Sequence, residues 1–193
     1  MNLILGSQST ARRMVFQRAG FVFEVMRANI DEKTIRSDDP KQLTLQLANA
    51  KADALVPKIS KPSLLITADL VVVCNGKTYE KPETAQHVRE FFRSYAVSPA
   101  KTVNTIVVTN TATGQRAYAT HTATVWFKSI PGEVVEQVIA TGDPFTHAGG
   151  LNIEHPLLKP FVDHIEGDND SALGLSIRIT KQLLNAAGWR DDC

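Results

Sequence analysis

The segment from Leu64 to Cys74 constrains the fold of this chain more than any other, because it is apolar almost throughout. A short run of this kind, rich in β-branched residues, is typical of a strand buried on both faces in the centre of an α/β sheet. Asp69 interrupts the run with a charge. A buried carboxylate is costly unless a cation, a metal or hydrogen-bond donors meet it. The alternative is a strand break at Ala68–Asp69, with Asp69 capping a turn or pairing with a structural arginine.

Helical and strand patterns alternate along the rest of the chain, which predicts an α/β fold in a single domain spanning residues 1–193. The patterns predict further strands over 2–5, 21–26, 102–109, 118–128 and 161–165. They predict helices over 10–19, 40–56, 83–95, 131–141 and 173–187. Asn75-Gly76 directly after the apolar run predicts a tight hairpin.

Composition excludes several classes of function. The 21 lysines and arginines nearly balance the 20 aspartates and glutamates, so the chain has no bulk attraction to nucleic acid or to an anionic membrane. No segment has the length of a transmembrane helix or a signal peptide. The two cysteines, Cys74 and Cys193, do not suggest a disulfide framework. We therefore expect a soluble, cytoplasmic protein.

The predicted turn between the first strand and the first helix has the residues of a phosphate site. Free backbone N–H groups at a helix N-terminus attract anions, and the hydroxyls of Ser7 and Ser9 add donors. An arginine in the first helical turns, Arg12 or Arg13, can contact a phosphate through two nitrogens. The alternative is an ordinary serine cap followed by two solvated arginines.

Three other charged residues are candidates for the same chemistry. Lys51 lies on a small, apolar stretch of the predicted second helix, and Lys81 precedes a proline that restricts its backbone. Glu32 follows Asp31 in a polar loop and could offer a carboxylate to a metal. Solvated lysines and a solvated turn are the alternatives. Dinucleotide and Walker motifs, zinc-site spacing and a nucleophile elbow are all missing, which leaves the residue types of a magnesium-dependent enzyme acting on phosphates.

Several short motifs occur in the order found in Maf proteins, and the chain resembles that family over nearly its whole length. The motifs are Leu3-Ile4-Leu5-Gly6-Ser7-Gln8-Ser9 with Arg12, Ala68-Asp69 with Val71-Val72, Glu80-Lys81-Pro82, Thr124-Val125 with Phe127, Ala148-Gly149 and Gly174-Leu175. The resemblance implies an elongated mixed-sheet α/β fold similar to inosine triphosphatase, with two lobes flanking a central cleft. It also implies a house-cleaning hydrolase that cleaves nucleoside triphosphates between the α and β phosphates, giving a monophosphate and pyrophosphate.

The resemblance also implies the roles of individual residues. Asp69 matches the catalytic acceptor of the family, and Ser7, Arg12, Glu32, Lys51 and Lys81 match its other active-site positions. Glu32 and Asp69 would hold a divalent cation, Mg²⁺ or Mn²⁺, while Asp69 orients or deprotonates the attacking water. The expected partner is a nucleoside triphosphate, and neither a nucleic acid nor a membrane is expected as a partner. Whether the protein forms a homodimer is left open.

Substrate choice depends on three positions at which the chain departs from the family or its branches divide. Ala11 replaces a larger side chain, and Leu70 replaces the usual threonine or glutamine after the catalytic aspartate. Glu154 stands where the branch for thymidine and uridine triphosphates has glutamine and the branch for 7-methyl-GTP has glutamate. Glu154 favours a guanine-type or modified triphosphate, whereas Ala11 lacks an aromatic ring that could stack on 7-methylguanine. The alternatives are the same reaction on dTTP or UTP, or a nucleotide-binding regulator of cell division without significant turnover.

Overall fold

The computed structural model of this chain describes residues 1–189 and has the mixed α/β architecture that the sequence predicts. These residues form the strands β1 (Asn2–Leu5), β2 (Glu24–Val25), β3 (Ser63–Cys74), β4 (Lys77–Tyr79), β5 (Ala100–Asn110), β6 (Arg116–Phe127) and β7 (Val162–Glu166). The helices are α1 (Thr10–Arg18), α2 (Pro40–Leu55), α3 (Ala85–Tyr95), α4 (Gly132–Ala140), α5 (Asn169–Ala172) and α6 (Ile177–Ala186).

The strands form one mixed sheet in the order β2-β1-β3-β5-β6-β7, with β4 paired to β3. β1 is parallel to both of its neighbours, whereas β4 is antiparallel to β3 and β7 is antiparallel to β6. β3 is the predicted central strand and runs without a break through Asp69, so the alternative of a strand break there is wrong. Asn75 and Gly76 have φ angles of 49° and 73°, which the predicted tight hairpin between β3 and β4 requires.

Two sequence predictions are corrected by the structure. The strand predicted over 21–26 is reduced to Glu24–Val25, because Phe21 and Phe23 pack their rings against Phe16, at centroid distances of 4.8 and 5.2 Å. The helix predicted over 173–187 is reduced to α6, Ile177–Ala186, and the short helix α5 lies before the predicted range. Gly174 lies between them with a φ angle of 96°, a conformation that ends a right-handed helix.

Backbone contacts divide the chain into two compact units. The first comprises Met1–Asp69, Asn104–His121 and the chain from Gly174 onward, and the second comprises Leu70–Val103 and Thr122–Leu173. In the first unit, side chains of β1, α2 and β3 pack into a small apolar cluster. The second unit has a larger core, built from β3, α3, β6 and α4 together with the segment before β7.

The structure bears on the cysteines and on the character of the helices. Cys74 is a buried free thiol, and Cys193 lies outside the described residues. Within residues 1–189, none of the helices combines the length and the apolar character that a membrane span needs.

Candidate active site

The charge in the buried strand is neutralised by a lysine from the second helix. The Lys51 ammonium donates to Oδ1 of Asp69 at 2.5 Å and lies 3.0 Å from Oε1 of Glu32. The side chains of Lys51 and Asp69 are only 11% and 10% exposed, whereas that of Glu32 is 47% exposed. Lys51 is therefore no solvated lysine, and one ammonium holds together two carboxylates predicted as site residues.

Local geometry explains why these two side chains meet. Lys51 lies three residues after Ala48 on one face of α2, and Asp69 lies two residues after Thr67 on one face of β3. The Thr67 hydroxyl donates to the carbonyl oxygen of Ala48 at 2.8 Å and holds that helix face against that strand face. The contact between Lys51 and Asp69 is the next one along the same interface.

Arg12 connects three parts of the first unit. Its Nε donates to the carbonyl oxygen of Gly174 at 2.9 Å, and its Nη1 donates to the carbonyl oxygen of Ala68 at 3.0 Å. Nη1 also lies 3.4 Å from the Ser7 hydroxyl. Arg12 is buried, so the alternative of a solvated arginine is wrong. The guanidinium thereby links the turn after β1, the residue before Asp69 and the turn before α6.

Burial and charge act against each other at this cluster. Desolvation raises the pKa of the Asp69 carboxyl, and the positive charges of Lys51 and Arg12 oppose that rise. Desolvation likewise lowers the pKa of the Arg12 guanidinium, opposed by Asp69 and Glu32. The two cations and the two carboxylates balance, so these four side chains together carry no formal net charge.

The N-terminus of α1 adds donors next to this cluster. The Ser9 hydroxyl caps the helix by accepting the Arg12 amide at 3.3 Å, and the Ser7 hydroxyl accepts the Ser9 amide at 3.2 Å. Ala11 is buried against the first unit, whereas Arg13 is exposed. Of the predicted phosphate-binding residues, Ser7, Ser9 and Arg12 are thus connected by hydrogen bonds, and Arg13 faces solvent.

Three of the predicted site residues belong to the second unit. Leu70 packs against its apolar core, Lys81 is exposed, and Glu154 is half-buried. The Glu154 amide donates to Oδ1 of Asn152 at 3.2 Å. The predicted roles of Lys81, Leu70 and Glu154 stay predictions.

Sequence reasoning assigned no role to two groups that hold predicted site residues in place. Gly174 provides the acceptor for Nε of Arg12, and Thr67 holds α2 against β3. A glycine inside a predicted helix was the available signal for the first. A lone threonine in a buried strand gave a weaker one, since its hydroxyl needs a partner there.

The donor set of the cluster fits a divalent cation in part. The oxygens of Asp69 and Glu32 already converge on one cation, the Lys51 ammonium, and carboxylate oxygens are the ligands that Mg²⁺ and Mn²⁺ take. Within residues 1–189, no group of three or more histidine, cysteine, aspartate or glutamate side chains could hold a metal. A metal held by Glu32 and Asp69 would therefore need further oxygens from substrate and water.

Comparison with known proteins finds similarity along nearly the whole chain. A family model described as Maf-like protein matches residues 2–187. A 7-methyl-GTP pyrophosphatase of Dictyostelium discoideum is 42% identical over 190 residues, covering 95% of each chain. A dTTP/UTP pyrophosphatase of Alkaliphilus metalliredigens (strain QYMF) is 31% identical over 175 residues, covering 91% of this chain and 90% of that one. The solved structure of a nucleoside-triphosphatase / dITP/XTP pyrophosphatase from Mycobacterium abscessus aligns with a TM-score of 0.41 and 11% identity, covering 96% of this chain and 94% of that one.

Proposed function

Since this chain belongs to the Maf-like protein family, we propose that it is a nucleoside triphosphate pyrophosphatase. Water cleaves the anhydride between the α and β phosphates and gives a nucleoside monophosphate and pyrophosphate. The observation that carries the proposal is the buried Asp69, which forms an ion pair with Lys51 and is also attracted by the positive charge of Arg12. A purely structural site would gain nothing from a carboxylate in the middle of an apolar strand.

We assign the proton transfer to Asp69. Its carboxylate accepts a proton from the attacking water, and burial makes it a stronger base than an exposed aspartate because its pKa is raised. Lys51 keeps that carboxylate oriented and offers its ammonium to the departing phosphates. The hydrogen bonds of Arg12 to the protein use Nε and Nη1, and we assign Nη2 to a phosphate oxygen.

A balanced cluster has no net positive charge with which to attract a triphosphate, so a further cation is needed. We propose that Glu32 and Asp69 hold Mg²⁺ or Mn²⁺ and that Lys81 contributes a second charge. When bound, the metal would supply charge neutralisation for the phosphate oxygens. Ser7, Ser9 and the N-terminus of α1 would hold those oxygens in place through their N–H and O–H donors.

For the base, we propose a guanine-type triphosphate. The Watson–Crick edge of guanine presents two adjacent donors, and a carboxylate such as that of Glu154 accepts both. Uracil and thymine present one donor between two acceptor oxygens, which a carboxylate would repel. The 42% identity to a 7-methyl-GTP pyrophosphatase supports this choice. The 31% identity to a dTTP/UTP pyrophosphatase keeps pyrimidine nucleotides as the second candidate.

Pyrophosphate release from GTP, 7-methyl-GTP, UTP and dTTP tests the reaction. We expect turnover with Mg²⁺ or Mn²⁺, its loss with a chelator, and a loss of about a hundredfold or more in Asp69→Asn. Asp53→Asn is the matched control, because Asp53 lies on α2 outside the cluster and pairs with Arg116 at the surface. Asp69→Asn at wild-type turnover would contradict the mechanism, and full turnover in chelator would remove the metal from it.

The same nucleotides tested with Glu154→Gln address the base. We expect the wild type to have a higher kcat/KM for guanosine than for uridine triphosphate, and the variant to shift that ratio towards uridine. A wild-type preference for UTP or dTTP would overturn the role of Glu154 and leave the pyrophosphatase proposal standing.

A further inference from the structure

The hydroxyl of Tyr95 is a polar group inside the apolar core of the second unit. Tyr95, the last residue of α3, is 2% exposed. Its ring packs against those of Phe92 and Phe127, at centroid distances of 5.6 and 5.9 Å. Placing a hydroxyl in such a core costs free energy unless the hydroxyl is hydrogen-bonded. The group to which it is bonded therefore indicates what the hydroxyl stabilises.

That partner is the backbone of the loop between α4 and β7. The Tyr95 hydroxyl donates to the carbonyl oxygen of Gly149 at 2.7 Å. Gly149 has a φ angle of 62°, and a Cβ built on it would collide with the Tyr95 hydroxyl and lie 2.8 Å from Cβ of Val72. The backbone is therefore held at a distance that only glycine allows.

The peptide groups of Gly149 connect Tyr95 to two predicted site residues. The Gly149 amide donates to the carbonyl oxygen of Glu80 at 2.8 Å, and Glu80 is the residue before Lys81. In the other direction, the chain continues through the buried Leu151 and Ile153 to the half-buried Glu154. One buried hydroxyl thus anchors the backbone that leads to Lys81 and the backbone that leads to Glu154.

We propose that Tyr95 is a positioning residue for nucleotide recognition, acting through Gly149 on the segments that carry Lys81 and Glu154. The proposal rests on the pyrophosphatase function proposed above and adds to it a residue that touches neither substrate nor metal. Burial raises the pKa of Tyr95 well above its usual value, so its hydroxyl stays a donor at any pH used for assay.

The variant Tyr95→Phe tests this, with Tyr79→Phe as the matched control. Tyr79 packs in the same aromatic group, but its hydroxyl is bonded to Oγ of Ser94 at 2.9 Å and not to the loop. In Tyr95→Phe the Gly149 carbonyl loses its donor. We expect the preference between guanosine and uridine triphosphate, in whichever direction the wild type has it, to narrow about fivefold. In Tyr79→Phe we expect that preference to stay within about twofold of wild type.

Hydrogen exchange of the amides of residues 148–154 gives a readout that does not depend on turnover. We expect it to rise about fivefold in Tyr95→Phe and to stay at the wild-type rate in Tyr79→Phe. Unchanged nucleotide preference together with unchanged exchange would overturn the role of Tyr95, even if Asp69→Asn confirms the pyrophosphatase. If the wild type releases no pyrophosphate, the proposed function fails, and the exchange rates still decide whether Tyr95 holds this loop.

Discussion

At the scale of single residues, the first unit buries the charged side chains of Arg12, Lys51 and Asp69, although burial destabilises a charge. Asp69 has a raised pKa because desolvation outweighs the attraction of Lys51 and Arg12. A raised pKa means that the ionised carboxylate is less stable in the folded chain than in the unfolded chain. The folded protein therefore tolerates Asp69 at a cost in stability, which is typical of residues kept for function.

The pH dependence of stability should reveal this cost. Since the folded pKa of Asp69 is raised, the protonated form stabilises the fold, fully so below the ordinary value of 3.8. That stabilisation is lost as pH rises through the raised pKa. We expect the free energy of unfolding of the wild type, relative to Asp69→Asn, to fall as pH rises from below 3.8 to neutral.

Urea unfolding of both proteins across that pH range measures the difference. Asp53→Asn serves again as control, because Asp53 lies outside the buried cluster and pairs with Arg116 at the surface. A difference that grows with pH would mean that the pairing with Lys51 outweighs desolvation, and the raised pKa of Asp69 would then be wrong.

At the scale of elements, the turn between β1 and α1 packs closely against α2 and β3. Gly6 follows β1, and its amide donates to the carbonyl oxygen of Ile66 in β3 at 2.8 Å. A Cβ built on Gly6 would lie 2.7 Å from both Cδ1 of Leu55 and Cγ2 of Thr67. A Cβ there requires the side chains of Leu55 and Thr67 to shift. The position of Ser7, and through it that of Arg12, depends on this close approach.

Replacing Gly6 by alanine should therefore disturb both stability and turnover. Overpacking of a buried contact costs about 1–3 kcal/mol, which for a chain of this length lowers the melting temperature by roughly 2–12 °C. We expect pyrophosphate release to fall as well, because Ser7 and Arg12 shift with the turn. Gly132→Ala is the control, since a Cβ there meets nothing within 4 Å. Equal melting temperatures for the two variants would disprove the close-packing argument.

At the scale of the whole molecule, two compact units share three strands. β3, β5 and β6 each have residues in both units, so the chain passes between the units within regular hydrogen-bonded strands. Independent domains are usually joined by exposed linkers instead. The prediction of a single domain over the whole chain stays a prediction.

Thermal unfolding tests that prediction. If the chain is one cooperative domain, the calorimetric enthalpy should equal the van't Hoff enthalpy in a single transition. Trp126 belongs to the second unit and Trp189 to the first. The variant Trp126→Phe therefore keeps a tryptophan that reports on the first unit, and Trp189→Phe keeps one that reports on the second. Both reporters should give the same midpoint. Two midpoints several degrees apart would show that the units unfold separately.

Features decided by neighbouring residues could be read from the sequence of this protein. The central strand with its buried charge, the Asn75-Gly76 hairpin and the start of α2 at Pro40 depend on local patterning, propensity and capping. The family motifs also led to Ser7, Arg12, Glu32, Lys51 and Asp69 as one group.

How those residues meet was decided by the tertiary structure alone. Asp69 and Lys51 are 18 residues apart, and Arg12 and Gly174 are 162 apart, so no local pattern relates them. The helix predicted from residue 173 begins only at Ile177 for the same reason. Its apolar periodicity is local, but the turn at Gly174 presents a carbonyl oxygen to Arg12 from the other end of the chain. Sequence periodicity reports which residues are buried, whereas packing between distant segments decides which partners they meet.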